Sequence, residues 1–225
     1  MELKEIPLET EGLEDTSSCC KYSIDDLPSD LPEGYRALLA TCNEGNTCDD
    51  FFHFFGLVGP IQHNVIEWNR NKHWKTFFHL DDACFVFVED IFGGQYFFKR
   101  GGRKNAVYTL DPDDGKTYFM ADNFKGFLED IIADSDAMCS KEKELAEAFF
   151  AVPGNKKRCL HHLSYKTPII LGGDQGDINN LDQCDSLANL SILGQIVRGL
   201  ENVEPGTAVK DVEIDYVNKE VRLIF

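Results

Sequence analysis

The chain has 225 residues, 43% of them apolar, and a formal net charge of −17. That length and apolar content support one sizeable domain with a true core. No apolar run approaches the ~18 residues of a membrane span, and so acidic a surface repels nucleic acid and anionic membranes. The charge is uneven: residues 1–50 hold 13 acids against 3 bases. Residues 1–26 therefore read as an acidic tail or edge segment, and residues 27–225 as a single domain. The opening stretch MELKEIPLETEGLEDTSSCC lacks the apolar core of a secretory signal, which points to the cytoplasm. The eight cysteines form no C-x-x-C pair and read as reduced thiols.

LPEGYRALLATCNEG predicts the first helix. Pro32 suits its first turn, Leu31, Tyr35, Leu38, Leu39 and Cys42 recur at helical spacing, and Asn43-Glu44-Gly45 ends it. Residues 51–80 are aromatic without a clear period. CFVFVEDI is a strand, and Gly93-Gly94 separates it from the strand-like QYFF, a hairpin signal. Lys99-Arg100-Gly101-Gly102-Arg103-Lys104 is a basic loop, most simply a solvated hairpin tip. Further helices are predicted over 140–152 and after a cap at Asp185 or Ser186. The carboxy-terminal VKDVEIDYVNKEVRLIF alternates on both sides of Asn218-Lys219, a closing hairpin.

The segment LDPDDGKTYFMADNFKGFLEDII, from Leu110 to Ile132, resembles a metal loop because three aspartates crowd into four residues. An EF-hand needs oxygen ligands at positions 1, 3 and 5, glycine at 6 and a bidentate carboxylate at 12. Counting from Asp111 puts Gly115 at position 5, Lys116 at 6 and the short Asp122 at 12. A turn fits better. Pro112 presets φ, Asp113 and Asp114 bond their own backbone, and Gly115 accepts positive φ. A helix follows, capped by Asp122 or Asn123, with Phe124, Phe127, Leu128, Ile131 and Ile132 on one face.

Catalytic signatures are weak. His161, His162 and Cys159 lack the spacing of a zinc site. His79, Asp81 and Asp82 offer a hydrolase trio without an H-E-x-x-H frame. LGGDQGD is glycine-rich but acidic where a phosphate needs donors and cations. No metal, cofactor or catalytic residue is expected, and a binding protein is favoured over an enzyme.

Taken in order, these segments resemble the SUKH superfamily, which includes the yeast Smi/Knr-type regulators and many bacterial immunity proteins. LPEGYRALLATCNEGN is similar to its first helix through Leu31, Pro32 and Tyr35. VEDIFGGQYFF is similar to its central strand pair through Gly93 and Gly94. VYTLDPDDGKTYFMADNFKGFLEDI resembles its strand, acidic turn, strand and A-D-[SN]-F-x-x-F-L helix, through Asp122, Phe124, Phe127 and Leu128. PIILGGDQGDINNL and GQIVRGL resemble a carboxy-terminal segment of some bacterial members.

The resemblance implies an α+β fold with a mixed, largely antiparallel sheet of about six strands flanked by helices. Its core would span 27–132, with a helix and β-hairpin extension over 133–225. It also implies a non-enzymatic immunity protein that binds and neutralises a cognate bacterial toxin, a polymorphic one and often a nuclease, by protein contact. The alternative is a regulatory scaffold of the Smi/Knr type. A nuclease presents a basic cleft, so Asp81, Asp82, Asp111, Asp113 and Asp114 are the expected contact residues. Nothing in the sequence sets the oligomeric state.

Overall fold

The run CFVFVED folds as a strand whose first six residues are all buried, as a strand covered on both faces requires. Around it the computed structural model describes residues 8–9, 20–41, 45–47, 50–59, 64–70, 72–100, 106–132, 139–158, 160–215 and 217–225. In chain order the elements are β1 (Leu8–Glu9), β2 (Cys20–Lys21), α1 (Glu33–Thr41), β3 (Gly45–Thr47), β4 (Phe52–Phe54) and β5 (Val58–Gly59). Then come α2 (Val65–Arg70), α3 (Lys72–Phe77), β6 (Cys84–Asp90), β7 (Gln95–Lys99), β8 (Val107–Leu110) and β9 (Thr117–Ala121). The short α4 (Phe124–Gly126) widens into a π-helical turn over Phe127–Ile132. The last elements are α5 (Ser140–Ala151), β10 (His161–Tyr165), β11 (Leu181–Asp185), α6 (Ser186–Leu200), β12 (Asp211–Asp215) and β13 (Glu220–Ile224).

Seven strands form one sheet in the order β1-β3-β4-β6-β7-β8-β9. Every pairing in it is antiparallel. Three two-stranded ribbons, β2-β5, β10-β11 and β12-β13, complete an α+β architecture. The sheet exceeds the expected six strands by β1, a two-residue strand from the acidic amino-terminal segment.

Helices cover both faces of the sheet because β7 alternates. Phe98 faces α1 and α4: Tyr35, fully buried, packs on Phe87, Phe98 and Phe124 at ring-centroid distances of 5.4, 5.6 and 5.7 Å. Phe127 continues this layer against Phe87 and Tyr96. Gln95 faces the other way and accepts a 2.9 Å hydrogen bond from Trp68 Nε1 of α2. Each such ring removed from water stabilises the fold by ~1.5–3 kcal/mol. Leu31, Pro32, Tyr35, Phe124, Phe127 and Leu128 are all buried. Asn123, rather than Asp122, caps α4, its side chain accepting from Gly126 N–H.

The carboxy-terminal part is keyed into this core. Gly194 of α6 sits so close to Phe77 and Phe78 that a Cβ there would lie 2.6 Å from Phe77 Cβ. A buried polar chain crosses the same junction. His162 Nε2 lies 3.0 Å from Glu89 Oε2, and Asn189 Nδ2 lies 3.2 Å from His162 Nδ1. Gln95 Nε2 also donates to Glu89, and Ser164 Oγ donates to Asn189. The glycine doublet follows from this docking. Gly93 has φ +95°, and a Cβ on it would lie 2.7 Å from His162 Nδ1; a Cβ on Gly94 would lie 2.2 Å from Asp90 Oδ2.

Candidate functional site

Antiparallel register brings the β6–β7 turn and the β8–β9 turn to one end of the sheet, since Gln95 pairs with both Glu89 and Leu110. A cleft of about 290 Å³ opens there. Asp90 enters it from the first turn and Asp111 and Asp113 from the second. Glu142 of α5 and Tyr165 at the end of β10 come from the carboxy-terminal part.

Each aspartate has a distinct local role. Asp90 Oδ1 accepts from Phe92 and Gly94 N–H, at 3.0 and 2.9 Å, and Oδ2 accepts from Tyr96 hydroxyl at 3.2 Å. Burial raises the Asp90 pKa above its ordinary value, partly offset by those two N–H donors. Asp111 Oδ1 accepts from Asp113 N–H at 2.9 Å, and burial raises its pKa too. For Asp114, burial raises the pKa, but hydrogen bonds from Tyr118 hydroxyl and Lys116 prevail and hold it below the ordinary value. Asp113 differs. Its carboxylate accepts no hydrogen bond or ion pair among the described residues, and its pKa is pushed up to about 7. Burial is the largest cause, followed by repulsion from Asp111, Asp90 and Asp114.

Tyr165 forms part of the wall. It is 7% exposed, lies at 6.0 Å from Phe92 with rings 17° from parallel, and its hydroxyl makes no hydrogen bond among the described residues. Burial, and then the charges of Asp113, Glu142 and Asp111, raise its pKa. Among the described residues no lysine or arginine lines the cleft. The nearest cation of the turn, Lys116, is held at the rim by Asp114, 3.1 Å away.

The expected contact aspartates therefore divide into two groups. Asp111, Asp113 and Asp114 share this turn. Asp81 and Asp82 precede β6, whose six residue steps put them ~20 Å from the Asp90 end. Asp81 Oδ1 accepts from Ala83 N–H within its own turn, and Asp82 pairs with Lys72 Nζ at 2.6 Å. His79 lies against Glu201, Nε2 to Oε1 2.5 Å, so His79, Asp81 and Asp82 do not converge on a shared point. Among the described residues no group of three or more His, Cys, Asp or Glu is placed to hold a metal ion. His161 and His162 occupy opposite faces of β10, the first half-buried and the second 2% exposed. Cys84 and Cys184 are free thiols and Cys139 is half-buried; the other cysteine side chains lie outside the described residues. Of the basic loop, Lys99 and Arg100 are described, with Arg100 Nε 2.7 Å from Asp30; residues 101–105 lie outside. Among the described residues no helix is long and apolar enough to cross a membrane.

Sequence reasoning missed Asp90, Glu142 and Tyr165. Asp90 carried a signal, an aspartate four residues before a glycine whose N–H it accepts. Glu142 and Tyr165 carried none, because only tertiary packing brings them to the turn.

Residues 25–130 match the SMI1 / KNR4 family (SUKH-1). The chain carries a SUKH-1 domain. No curated protein matches the chain. The match contains α1, both turns of the cleft and the α4 helix. Glu142 and Tyr165 fall beyond its end, so the cleft joins residues of the SUKH-1 domain to residues outside it.

Proposed function

We propose that this protein is a non-enzymatic binding protein of the cytoplasm that neutralises a cognate, basic toxin by direct contact at the acidic cleft. The observation that carries this reading is the carboxylate-lined cleft, with Asp113 unpaired inside it, on a chain of net charge −17. Such a surface attracts a basic protein and speeds its association at low salt. The aromatic walls supply the desolvated contact area that carries most binding energy in tight complexes. The SUKH-1 domain is consistent with protein binding, and the resemblance of the sequence to bacterial immunity proteins supports a toxin as the partner. A nuclease, with its basic substrate cleft, fits the sign of the charge.

Affinity capture from the native host at low and high salt, followed by mass spectrometry, tests the proposal. The expected result is a basic polypeptide held at low salt and released at high salt, whose expression alone stops growth and whose co-expression with this protein does not. Salt-independent retention of a non-toxic cellular protein would instead support a regulatory scaffold of the SMI1/KNR4 type.

A further inference from the structure

The cleft also specifies what it holds, and this inference rests on the protein-binding reading above. From its geometry we infer that the cleft receives the guanidinium of a single arginine side chain projecting from the partner, set between Asp113, Glu142 and the hydroxyl of Tyr165.

Four observations converge on that occupant. Four carboxylates, Asp90, Asp111, Asp113 and Glu142, line the space with no cation among the lining residues. Asp90 and Asp111 spend acceptor capacity on their own turns, whereas Asp113 stays open. The Tyr165 side chain is 93% buried, yet its hydroxyl has no hydrogen-bond partner among the described residues, although this chain places it within the electrostatic reach of Asp113, Glu142 and Asp111. That hydroxyl oxygen is open to the cleft rather than sealed in the core, so it can bond a donor that enters from outside. The near-parallel Phe92 and Tyr165 rings provide a flat wall, and a planar cation lies well against such a surface.

Arginine matches this set better than lysine. Its fork of five N–H donors can address a carboxylate through two parallel bonds and still reach a hydroxyl, while an ammonium is a point charge. The size argues for a side chain delivered by a protein. At about 290 Å³ the cleft is just below the ~300–1,000 Å³ usual for a complete small-molecule site. Free arginine would also carry its own carboxylate into a field of four others. A second copy of this chain is disfavoured because each carries −17.

The cleft is thus a composite. The SUKH-1 domain supplies Asp90, Asp111 and Asp113; the carboxy-terminal part supplies Glu142 and Tyr165. Partner choice follows from how the second part closes over the first.

The test is an NMR titration of the ¹⁵N-labelled full chain with N-acetyl-L-arginine methylamide. The isosteric but neutral N-acetyl-L-citrulline methylamide and the polyamine spermidine serve as comparison probes. The expected result is saturable shifts of the amides of residues 90–94 and 111–118 with the arginine probe and none with citrulline. Asp113→Asn should weaken binding roughly tenfold and Tyr165→Phe a few-fold, with both spectra otherwise native. Equal binding of citrulline, shifts confined to another surface, or unchanged affinity in Asp113→Asn would overturn the inference. Tighter binding of spermidine would overturn the assignment to a protein side chain. The two readings fail separately. If the arginine probe binds but no basic partner is captured from the host, the toxin-binding reading falls. If a basic partner is captured equally well by Asp113→Asn, the cleft assignment falls.

Discussion

Replacing Asp113 with asparagine should make the protein more stable at neutral and alkaline pH. An aspartate in an unfolded chain ionises near 3.8, whereas enclosed Asp113 ionises near 7. Between those values the native protein keeps a proton that the unfolded chain has released. The stabilisation is therefore complete below pH 3.8 and is lost as pH rises through 7. The full difference, about 3 pH units, corresponds to ~4 kcal/mol. Solvent reaches part of the side chain, and Asp111 and Asp90 share the repulsion, so ~1–2 kcal/mol is the expected gain for Asp113→Asn at pH 8. For a chain of this size that raises Tm by roughly 2–8 °C. Asparagine keeps the shape and the backbone N–H that donates to Asp111. The assay is thermal unfolding of both proteins at half-unit steps from pH 4 to 9. The gap between the curves should be near zero at pH 4, widen steadily between pH 5 and 7, and level off towards pH 8. A gap that is constant with pH, or one in which the variant is the less stable at pH 8, would refute the reasoning.

Four other outcomes follow from the structure. Tyr35 is fully buried and its hydroxyl has no partner among the described residues, so Tyr35→Phe should stabilise the protein by ~1 kcal/mol in urea unfolding. His162→Leu removes a partner from buried Glu89 and should cost ~3 kcal/mol, with hydrogen exchange accelerating first in residues 161–200 rather than in the sheet. Gly93→Ala forces a Cβ against His162 from a left-handed backbone, and should speed hydrogen exchange in the same segment. Asp82 is 73% exposed and ~20 Å from the cleft, so Asp82→Asn should leave both melting temperature and partner capture unchanged.

The amino-acid sequence alone determined the elements that depend on neighbours along the chain. Tyr35, Leu38 and Leu39 share a helical face, so α1 was legible. Pro112, the aspartates and Gly115 could only turn the chain between two strands, and β8 and β9 pair on either side of that turn. Asn123 and Asp185 announced their helices because a capping side chain bonds backbone two or three residues away. The order of these local signals was enough to indicate the SUKH superfamily. Residues 51–80 were not legible, because their phenylalanines and tryptophans are buried on several sides at once and show no single period. The acidic turn was visible, but its chemistry was not. Whether a carboxylate is paired or isolated depends on groups distant in the chain. Asp82 and Asp113 look alike in sequence. Lys72 neutralises the first, while Asp90, 23 residues before it, repels the second. Tertiary structure alone decided that Tyr165 and Glu142 would complete the cleft, because desolvation and charge act through space and leave no periodic mark on the chain.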